Sequence, residues 1–279
     1  MIIDRFAAMG TQVEAHGTDN AALDEVQAWF ARVEECCSRF RPESELSRVN
    51  ESPGERLAVS PLLAEVLQTA DRLRTLTDGL VDPGIGERVA AWGYDRTFAE
   101  VSDQAAAPAA GSGGLWRIDG DLLDLAPLAR LDLGGIAKGW ACDRAVEMGL
   151  ATMVSAGGDL RSVDPDLVVD VKGASGELIA EVPVGRGGLA TSSTVRRSWR
   201  AGGRRVSHLI DPRTGDPVVG PVIGATVTAA TALEAEAGAK AVLLLGEEGL
   251  AWADRQSWIR GALVEWHDGS VFATTEIAA

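Results

Sequence analysis

The chain has 279 residues, 46% of them apolar, and its 26 Lys plus Arg against 41 Asp plus Glu give a formal net charge of −15. Such an acidic chain lacks the basic face that the backbones of DNA and RNA require, so we predict that it does not bind nucleic acid. The charge leaves open a small phosphate-bearing ligand, because backbone amides and one or two lysines can hold one locally. The apolar fraction argues against disorder, and the length allows one large domain or two small ones.

The cysteine pattern favours reduced thiols. Cys36, Cys37 and Cys142 lack the CxxC spacing of a structural zinc site, and we expect them to pack as small apolar side chains. The first residues lack a basic segment followed by a long apolar run, so we expect no signal peptide. No apolar run is as long as the roughly 18 residues of a membrane-spanning helix. We therefore predict a cytoplasmic protein without a membrane-spanning segment.

Two helices are predicted in the first third of the chain. Apolar residues recur at three-to-four spacing over 20–40, which indicates an amphipathic helix. A second helix is expected to begin with Ser60 as N-cap and Pro61 at the first helical position, and Gly79 is placed to end it.

The rest of the chain alternates short strands with two further helices. The strands are expected at 115–118, 122–125, 153–155, 167–172, 178–184, 206–210, 262–266 and 271–274, and the helices at about 136–148 and 230–245. Interspersed helices and hairpins favour an α+β fold with mixed or antiparallel sheet. The segment 105–114 (AAAPAAGSGG) is linker-like, and we expect a flexible surface insertion in a single domain spanning 1–279.

A glycine-rich segment at 132–139 (DLGGIAKG) lies between a predicted strand and a helix start. Exposed amides and the helix dipole can bind an anionic oxygen there, and Lys138 would add a positive charge. A strand–helix turn that needs positive φ explains the glycines equally well. The segment is neither a Walker loop nor a GxGxxG fingerprint.

Three further polar segments each have a structural interpretation. The turn at 155–159 (SAGGD) is typical of a hairpin or bulge, and the hydroxyl run at 191–194 (TSST) is typical of a solvated loop. His208 precedes a strong turn at 211–215 (DPRTG), and a single histidine is more often structural than catalytic. The GxSxG and HExxH motifs are absent, which disfavours those hydrolase classes.

These segments, taken in order, resemble the FAD:protein FMN transferases, the ApbE-type flavin transferases. The matching segments are 9–11 (MGT), 39–50 (RFRPESELSRVN), 77–83 (TDGLVDP), 91–94 (AWGY), 132–139 with Asp143, 156–159 (AGGD), 190–193 (ATSS) and 208–215 (HLIDPRTG). Each segment is short, but together they span most of the chain, and the chain is identified as a member of that family.

The resemblance implies a single α+β domain of the T-fold-like kind that binds FAD, with Mg²⁺ at the pyrophosphate. Such enzymes transfer FMN to a threonine hydroxyl of an acceptor protein and release AMP, and some relatives instead hydrolyse FAD to FMN and AMP. Phosphoryl transfer needs positioning and neutralisation of charge, and attack by a hydroxyl needs a nearby proton acceptor.

The resemblance also implies roles for individual residues. Contacts to FAD are implied for Met9, Phe40, Leu80, Val81, Asp82, Asp132, Lys138 and Ile210, and a contact to the metal for the Gly135 carbonyl. His208 and the residues up to Asp211 would border the reacting phosphate, with His208 or a nearby carboxylate assisting proton transfer. Phe40 stands where the family usually has Tyr, so ring stacking is kept and the phenol is lost.

The main departure from the family is on the predicted helix 230–245. The family has Asp and, four residues later, Thr as Mg²⁺ ligands, where this chain has Glu236 and Lys240. Glutamate can still bind Mg²⁺, but an ammonium group has no lone pair and repels the ion. Either the Lys240 ammonium lies where the metal would be and acts on the pyrophosphate, or the two residues are simply a favourable i,i+4 pair. Ser155, where the family commonly has Asn, is a smaller departure.

Three functions follow from the resemblance. The chain is an FMN transferase acting on an acceptor protein, an FAD pyrophosphatase, or a flavin-binding protein that has lost its chemistry through the change at Lys240. The candidate cations for the pyrophosphate are Lys138, Lys240, Arg213 and Mg²⁺.

Overall fold

The computed structural model describes residues 1–108 and 113–277, and the chain divides into two compact units. The first unit comprises Met1–Ala31, Lys138–Arg196 and Gly220–Ala279, and the second comprises Arg32–Ala137 and Arg197–Val219. The prediction of a single domain over 1–279 stays a prediction. Four residues of the predicted insertion 105–114, namely 109–112, lie outside the described residues.

The helices are short to medium in length and are spread along the chain. They are α1 (Asn20–Cys37), α2 (Glu45–Asn50), α3 (Pro61–Leu76), α4 (Gly86–Ala91), α5 (Ala137–Glu147), α6 (Ala232–Leu245) and α7 (Gly249–Ala253). Within the described residues, no helix has the length and hydropathy to cross a bilayer.

The strands alternate with the helices. They are β1 (Ile2–Ala8), β2 (Thr11–Gly17), β3 (Arg56–Ala58), β4 (Trp116–Asp119), β5 (Leu122–Leu125), β6 (Met153–Ala156), β7 (Asp159–Ser162), β8 (Val168–Lys172), β9 (Leu178–Pro183), β10 (Gly187–Ser193), β11 (Ser198–Ala201), β12 (Arg204–Ser207), β13 (Val222–Ala229), β14 (Ile259–Trp266) and β15 (Val271–Ala273).

The first unit is built on one antiparallel sheet. In the described part of the chain its strand order is β1-β2-β6-β7-β10-β13-β14-β15, and β8 and β9 form a separate hairpin. The apolar α6 packs on β10 and β13, where glycines allow a close approach. A Cβ at Gly188 would lie 2.3 Å from the Ala232 nitrogen, and one at Gly238 would lie 2.9 Å from Val227 Cγ1. This packing fixes where α6 presents its polar side chains.

The second unit has two small sheets, β3-β5-β4 and β11-β12, together with α2, α3 and α4. Its core contains an aromatic cluster in which Tyr94 packs against Phe40, Phe98 and Trp199. Trp92 and Ile210 are buried in the same cluster. The α+β class with antiparallel sheet is therefore confirmed in both units.

Local signals predicted several elements correctly. Ser60 caps α3, since its hydroxyl accepts the N–H of Leu63 at 3.3 Å, and Pro61 is the first helical residue. The β4–β5 hairpin turns at Asp119-Gly120, and Gly120 has a φ of 61°. The three cysteines are unbridged and buried, as the sequence predicted.

The interpretation of 191–194 as a solvated loop was wrong. Residues 191–193 lie in β10, which pairs with β7 on one side and with β13 on the other. The Thr191 hydroxyl is 2.9 Å from the Thr226 hydroxyl on β13. A hydroxyl run fits a central strand when cross-strand partners satisfy its hydrogen bonds, and local sequence does not show those partners.

Candidate functional site

Four charged side chains meet in the first unit. Lys138 Nζ lies 3.1 Å from Asp159 Oδ2 and 3.9 Å from Glu236 Oε1, and Lys240 Nζ contacts the same oxygen of Glu236. The side chains of Asp159 and Glu236 are only 3% and 7% exposed, and those of Lys138 and Lys240 11% and 16%. We call these four residues the lysine–carboxylate cluster. Burial of two carboxylates is tolerated because two ammonium groups pair with them.

The four residues of the lysine–carboxylate cluster come from three separate elements. Lys138 is in the first turn of α5, and Glu236 and Lys240 are one turn apart on α6. Asp159 begins β7, directly after a two-glycine hairpin turn. Gly157 and Gly158 have φ values of 63° and 114°, which glycine adopts without strain, so the hairpin interpretation of this turn is correct.

Asp143 anchors α6 in place. Its two carboxylate oxygens accept the backbone N–H groups of Ala232 at 2.8 Å and Leu233 at 3.0 Å. Thr231 accepts the next free amide, that of Glu234, at 3.1 Å. The first amides of α6 are thereby satisfied within the protein, which sets the position of the cluster residues further along the helix.

The surroundings in the lysine–carboxylate cluster shift the pKa values of its two carboxyl groups in opposite directions. Burial and the neighbouring Glu236 carboxylate raise the pKa of Asp159 to about 6, against the opposing effect of Lys138 and Lys240. Burial also acts to raise the pKa of Glu236, but Lys240 and Lys138 outweigh it and hold that pKa at about 2. Glu236 is therefore the firmly ionised member of the pair.

The donors around Glu236 do not suit Mg²⁺. The ion prefers octahedral coordination by oxygen, whereas the Glu236 oxygen is contacted by one ammonium and lies 3.9 Å from another. Across the described residues, no group of three or more His, Cys, Asp or Glu side chains could hold a metal ion. The metal contacts predicted for Gly135 and Glu236 stay predictions.

Met9 lies in a strained turn beside the AGGD hairpin. It joins β1 to β2 with a φ of 51°, and Gly10 follows with a φ of 68°. A positive φ at a non-glycine residue costs of order 1–3 kcal/mol and often marks a functional site. The turn leads into Thr11, whose hydroxyl would be 2.7 Å from a Cβ at Gly157. The MGT and AGGD segments are thus neighbours in the first unit.

An arginine stacked on two aromatic rings defines a second group, in the second unit. The Arg39 guanidinium lies 4.1 Å from the centre of the Phe40 ring and 4.8 Å from that of Tyr94, and it pairs with Asp132 at 2.8 Å. His208 meets the Tyr94 ring edge-on, with ring centres 6.4 Å apart. The Arg39 side chain is 9% exposed, and its Nη2 is buried without a hydrogen-bond partner among the described residues.

Asp132 organises the start of the glycine-rich segment. Its Oδ1 accepts the Gly134 amide at 2.7 Å, while its Oδ2 faces Arg39. Neither Gly134 nor Gly135 adopts a positive φ, so conformational strain does not account for them. A Cβ at Gly134 would lie 2.9 Å from Asp132 Oδ1. A side chain at position 134 would therefore collide with the Asp132 carboxylate, which explains the glycine there.

The segment after His208 is held by a buried arginine and tryptophan. The Gly215 carbonyl accepts N–H groups from Arg88 at 2.8 and 3.0 Å and from Trp92 at 3.0 Å. Arg213 forms a two-pronged ion pair with Asp211, in which the closest nitrogen–oxygen distance is 2.7 Å. This pairing with Asp211 raises the pKa of Arg213. Arg213, one of the cations that the sequence suggested for the pyrophosphate, is therefore already paired with a carboxylate.

The predicted dinucleotide contacts at 80–82 have structural partners. The Leu80 and Val81 side chains are buried, and the Val81 amide donates to the Thr77 hydroxyl at 3.1 Å. Asp82 Oδ1 accepts the Gly84 amide and the Trp116 indole N–H, both at 2.8 Å. Asp82 Oδ1 is therefore already the acceptor of two hydrogen bonds within the protein.

The structure thus sorts the predicted residues into groups. Lys138, Glu236 and Lys240 meet directly in the first unit, and Phe40, Asp132 and His208 gather around Arg39 and Tyr94 in the second. Ile210 lies in the aromatic core of the second unit.

Sequence reasoning assigned no role to Arg39, Arg88 or Asp159. The signal was present for two of them, since Arg39 and Asp159 lie inside the family-like segments 39–50 and 156–159. The site roles assigned from the sequence remain predictions.

Comparisons with known proteins match most of the chain to a single family. The profile described as the ApbE family matches residues 9–262. The FAD:protein FMN transferase of Rhodobacter capsulatus is 30% identical over an alignment covering all of this chain and 58% of that protein. The protein of the same name from Vibrio cholerae serotype O1 is 29% identical, over 88% of this chain and 80% of its own. The chain therefore spans about three fifths of the first relative's length.

Two solved structures share the fold. The flavin transferase ApbE from Vibrio cholerae superposes with a TM-score of 0.80 at 25% identity, covering 99% of this chain and 97% of that one. The ApbE protein from Thermotoga maritima has a TM-score of 0.85 at 24% identity, with 98% and 97% covered. At that identity the second similarity bears on the fold alone.

Proposed function

The chain belongs to the ApbE family, and from this premise we propose that it is an FAD:protein FMN transferase. The reaction moves FMN from FAD to a threonine hydroxyl of an acceptor protein and releases AMP. The cytoplasmic location predicted from the sequence stays a prediction.

One observation carries the proposal: family-like segments that are distant in sequence meet within each unit. In the first unit, the DLGGIAKG and AGGD segments bring Lys138 within 3.1 Å of Asp159. In the second, segments 39–50, 91–94 and 208–215 bring Phe40, Tyr94 and His208 into ring contact. Cations suit the pyrophosphate of a dinucleotide, an aromatic ring suits one of its flat ring systems, and each unit by itself offers one of these features.

The second unit is proposed to hold a ring of FAD. Phe40 is partly buried on the aromatic cluster, with its ring centre 5.4 Å from that of the buried Tyr94, and it is the ring that we propose to contact the flat ligand. The buried Nη2 of Arg39 is suited to an acceptor atom on the ligand, since an unsatisfied buried donor costs free energy until it is paired.

The reaction itself needs one proton acceptor. The threonine oxygen forms a bond to the phosphorus of the FMN phosphate, the bond from that phosphorus to the bridging oxygen breaks, and AMP leaves with that oxygen. The threonine proton passes to a nearby base, for which we propose His208. The Arg88 and Trp92 bonds to Gly215 restrain the far end of the segment 208–215, which begins at His208.

The test is to incubate the purified chain with FAD, Mg²⁺ and an acceptor protein bearing the family's target threonine. We expect a covalent fluorescent flavin adduct by denaturing gel and mass spectrometry, with AMP released in equal amount. The same acceptor with that threonine changed to alanine is the control and should give neither product.

Two results would contradict the transferase proposal. Release of AMP and free FMN without an adduct would identify a pyrophosphatase. Binding of FAD without any turnover would identify a flavin-binding protein. Replacement of His208 by Ala should lower the transfer rate by about 100-fold, as loss of a general base does, while leaving FAD binding in place.

A further inference from the structure

We propose that the Lys240 ammonium takes the place of the divalent cation that the family resemblance implies, so that this chain contacts the FAD pyrophosphate with its own lysines. The inference rests on the proposed function for the identity of the ligand. Its consequence is a site beside Glu236 that binds no divalent metal and binds FAD without one.

The contacts of Glu236 support this arrangement. Its Oε1 is contacted by Lys240 and lies 3.9 Å from Lys138 Nζ. A divalent ion at the same oxygen would face two positive groups at close range, where like charges are strongly unfavourable in a buried site. The cluster also has equal numbers of ammonium and carboxylate groups, so it needs no external cation to balance it.

The positions of the few lysines in the sequence also support a lysine in place of the metal ion. Only three of its 26 basic residues are lysines, at 138, 172 and 240, and two of the three lie in the lysine–carboxylate cluster. Lysine carries a compact point charge, whereas arginine carries a flat, spread-out one. A compact charge is the nearer substitute for a metal ion, and this arginine-rich chain places lysine at that point.

The chemistry of the ammonium group fits the role. It has three N–H donors, so a single lysine can contact a carboxylate and phosphate oxygens at the same time. Lys240 is on α6, whose position Asp143 fixes through the amides of Ala232 and Leu233. The ammonium group is therefore held beside Glu236 before any ligand binds, and its contacts to phosphate oxygens need no recruitment of an ion.

The first experiment measures Mn²⁺ binding to the FAD-free protein by the loss of the free-ion electron paramagnetic resonance signal. The wild-type chain should bind no Mn²⁺ at millimolar concentration. Lys240→Thr removes the ammonium and adds an oxygen ligand beside Glu236, and it should bind one Mn²⁺ per chain. Lys172→Thr, which removes the exposed lysine of β8, is the matched control and should behave like the wild type.

The second experiment measures FAD affinity by quenching of flavin fluorescence, with excess Mg²⁺ and with EDTA. The wild-type Kd should agree between the two conditions within about twofold. In EDTA, Lys240→Thr should bind FAD at least about tenfold more weakly, the size expected for loss of one charge-assisted hydrogen bond. Mg²⁺ should restore much of that loss in the variant alone.

The outcomes separate the inference from the proposed function. Stoichiometric Mn²⁺ binding by the wild type, or a wild-type Kd for FAD that rises tenfold in EDTA, overturns the inference. A folded Lys240→Thr variant that gains no Mn²⁺ affinity also overturns it. If the wild type binds no FAD in either condition, the proposed function fails while the Mn²⁺ measurement still decides what occupies the cation position. The wild-type measurements of Mn²⁺ binding and of the Kd for FAD need no variant, so they test the inference even if a substituted chain misfolds.

Discussion

Asp159 is the residue whose protonation we expect to control the stability of the first unit. It faces Glu236 and Lys240 from α6 and Lys138 from α5, and its backbone carbonyl lies 4.0 Å from the Cys142 thiol. Burial and Glu236 raise its pKa from 3.8 to about 6. The folded chain therefore holds a proton that the unfolded chain has released between those two pH values.

The sign of the effect follows from proton linkage. Because the folded state binds more protons here, the free energy of unfolding falls as the pH rises through this window and levels off above about 6. Glu236, whose pKa is lowered from 4.5 to about 2, has the opposite effect, but only below its unfolded value. Between pH 4.5 and 6 the Asp159 contribution should amount to about 2 kcal/mol.

Urea denaturation at a series of pH values measures this contribution. Asp159→Asn should flatten the decline between pH 4.5 and 6 that the wild type shows, and Asp170→Asn on the exposed face of β8 should leave it unchanged. Equal slopes for the wild type and Asp159→Asn would show that the cluster does not hold the extra proton.

At the scale of elements, the contact between β10 and α6 decides where Glu236 and Lys240 lie. Gly188 on β10 allows the first turn of α6 to pass so closely that a Cβ would meet the carbonyl carbon of Thr231 and the nitrogen of Ala232, both at 2.3 Å. These are backbone atoms on a helix that is already capped, so they cannot move aside as a side-chain tip can.

Gly188→Ala should therefore destabilise the protein by about 1–3 kcal/mol or more, the range of overpacked cores. Gly220→Ala is the matched control, because a Cβ there would have nothing within 4 Å, and it should change stability by less than about 0.5 kcal/mol. Urea or thermal denaturation measures both. Equal stabilities of the two variants would contradict the close packing of α6 on β10.

Local signals predicted elements whose cause is local. The start of α3 was predicted from Ser60 and Pro61, and the hairpin at 156–159 from its two glycines, because cap and turn chemistry acts over a few residues. Strands β10 and β13 were not predicted, since their threonines and glycines are stabilised by neighbouring strands and by α6. Sheet formation of this kind depends on partners that a sequence window does not contain.

At the scale of the whole molecule, the net charge of −15 has the same sign as the pyrophosphate of FAD. The lysine–carboxylate cluster adds two positive and two negative groups, so it does little to change the field at long range. Long-range repulsion acts on the rate of encounter and is screened by salt over about 10 Å at 0.1 M ionic strength.

We therefore expect the rate constant for FAD association to rise a few-fold between low and high salt, as measured by stopped-flow flavin fluorescence. Riboflavin, which has the flavin ring without phosphate, is the control, and any binding it shows should be insensitive to salt. A rate that falls with salt would instead mean that local cations attract the dinucleotide from a distance.

The sequence by itself determined the family, the α+β class and several caps and turns, because each depends on local spacing or on ordered segments. It left the pairing of Glu236 with Lys240 as one of two alternatives, and the structure shows the pair. Only the tertiary structure decided what surrounds that pair. Asp159 comes from β7 and Lys138 from α5, and both interact with Glu236 because sheet pairing and helix packing bring together residues far apart in the chain. An i,i+4 pair on an exposed helix contributes little, whereas the same pair in a buried cluster decides which charged groups can contact a ligand there. Burial is a property of the whole fold, and the partial burial of Lys240 beside Glu236 is what makes this lysine a candidate replacement for a metal ion.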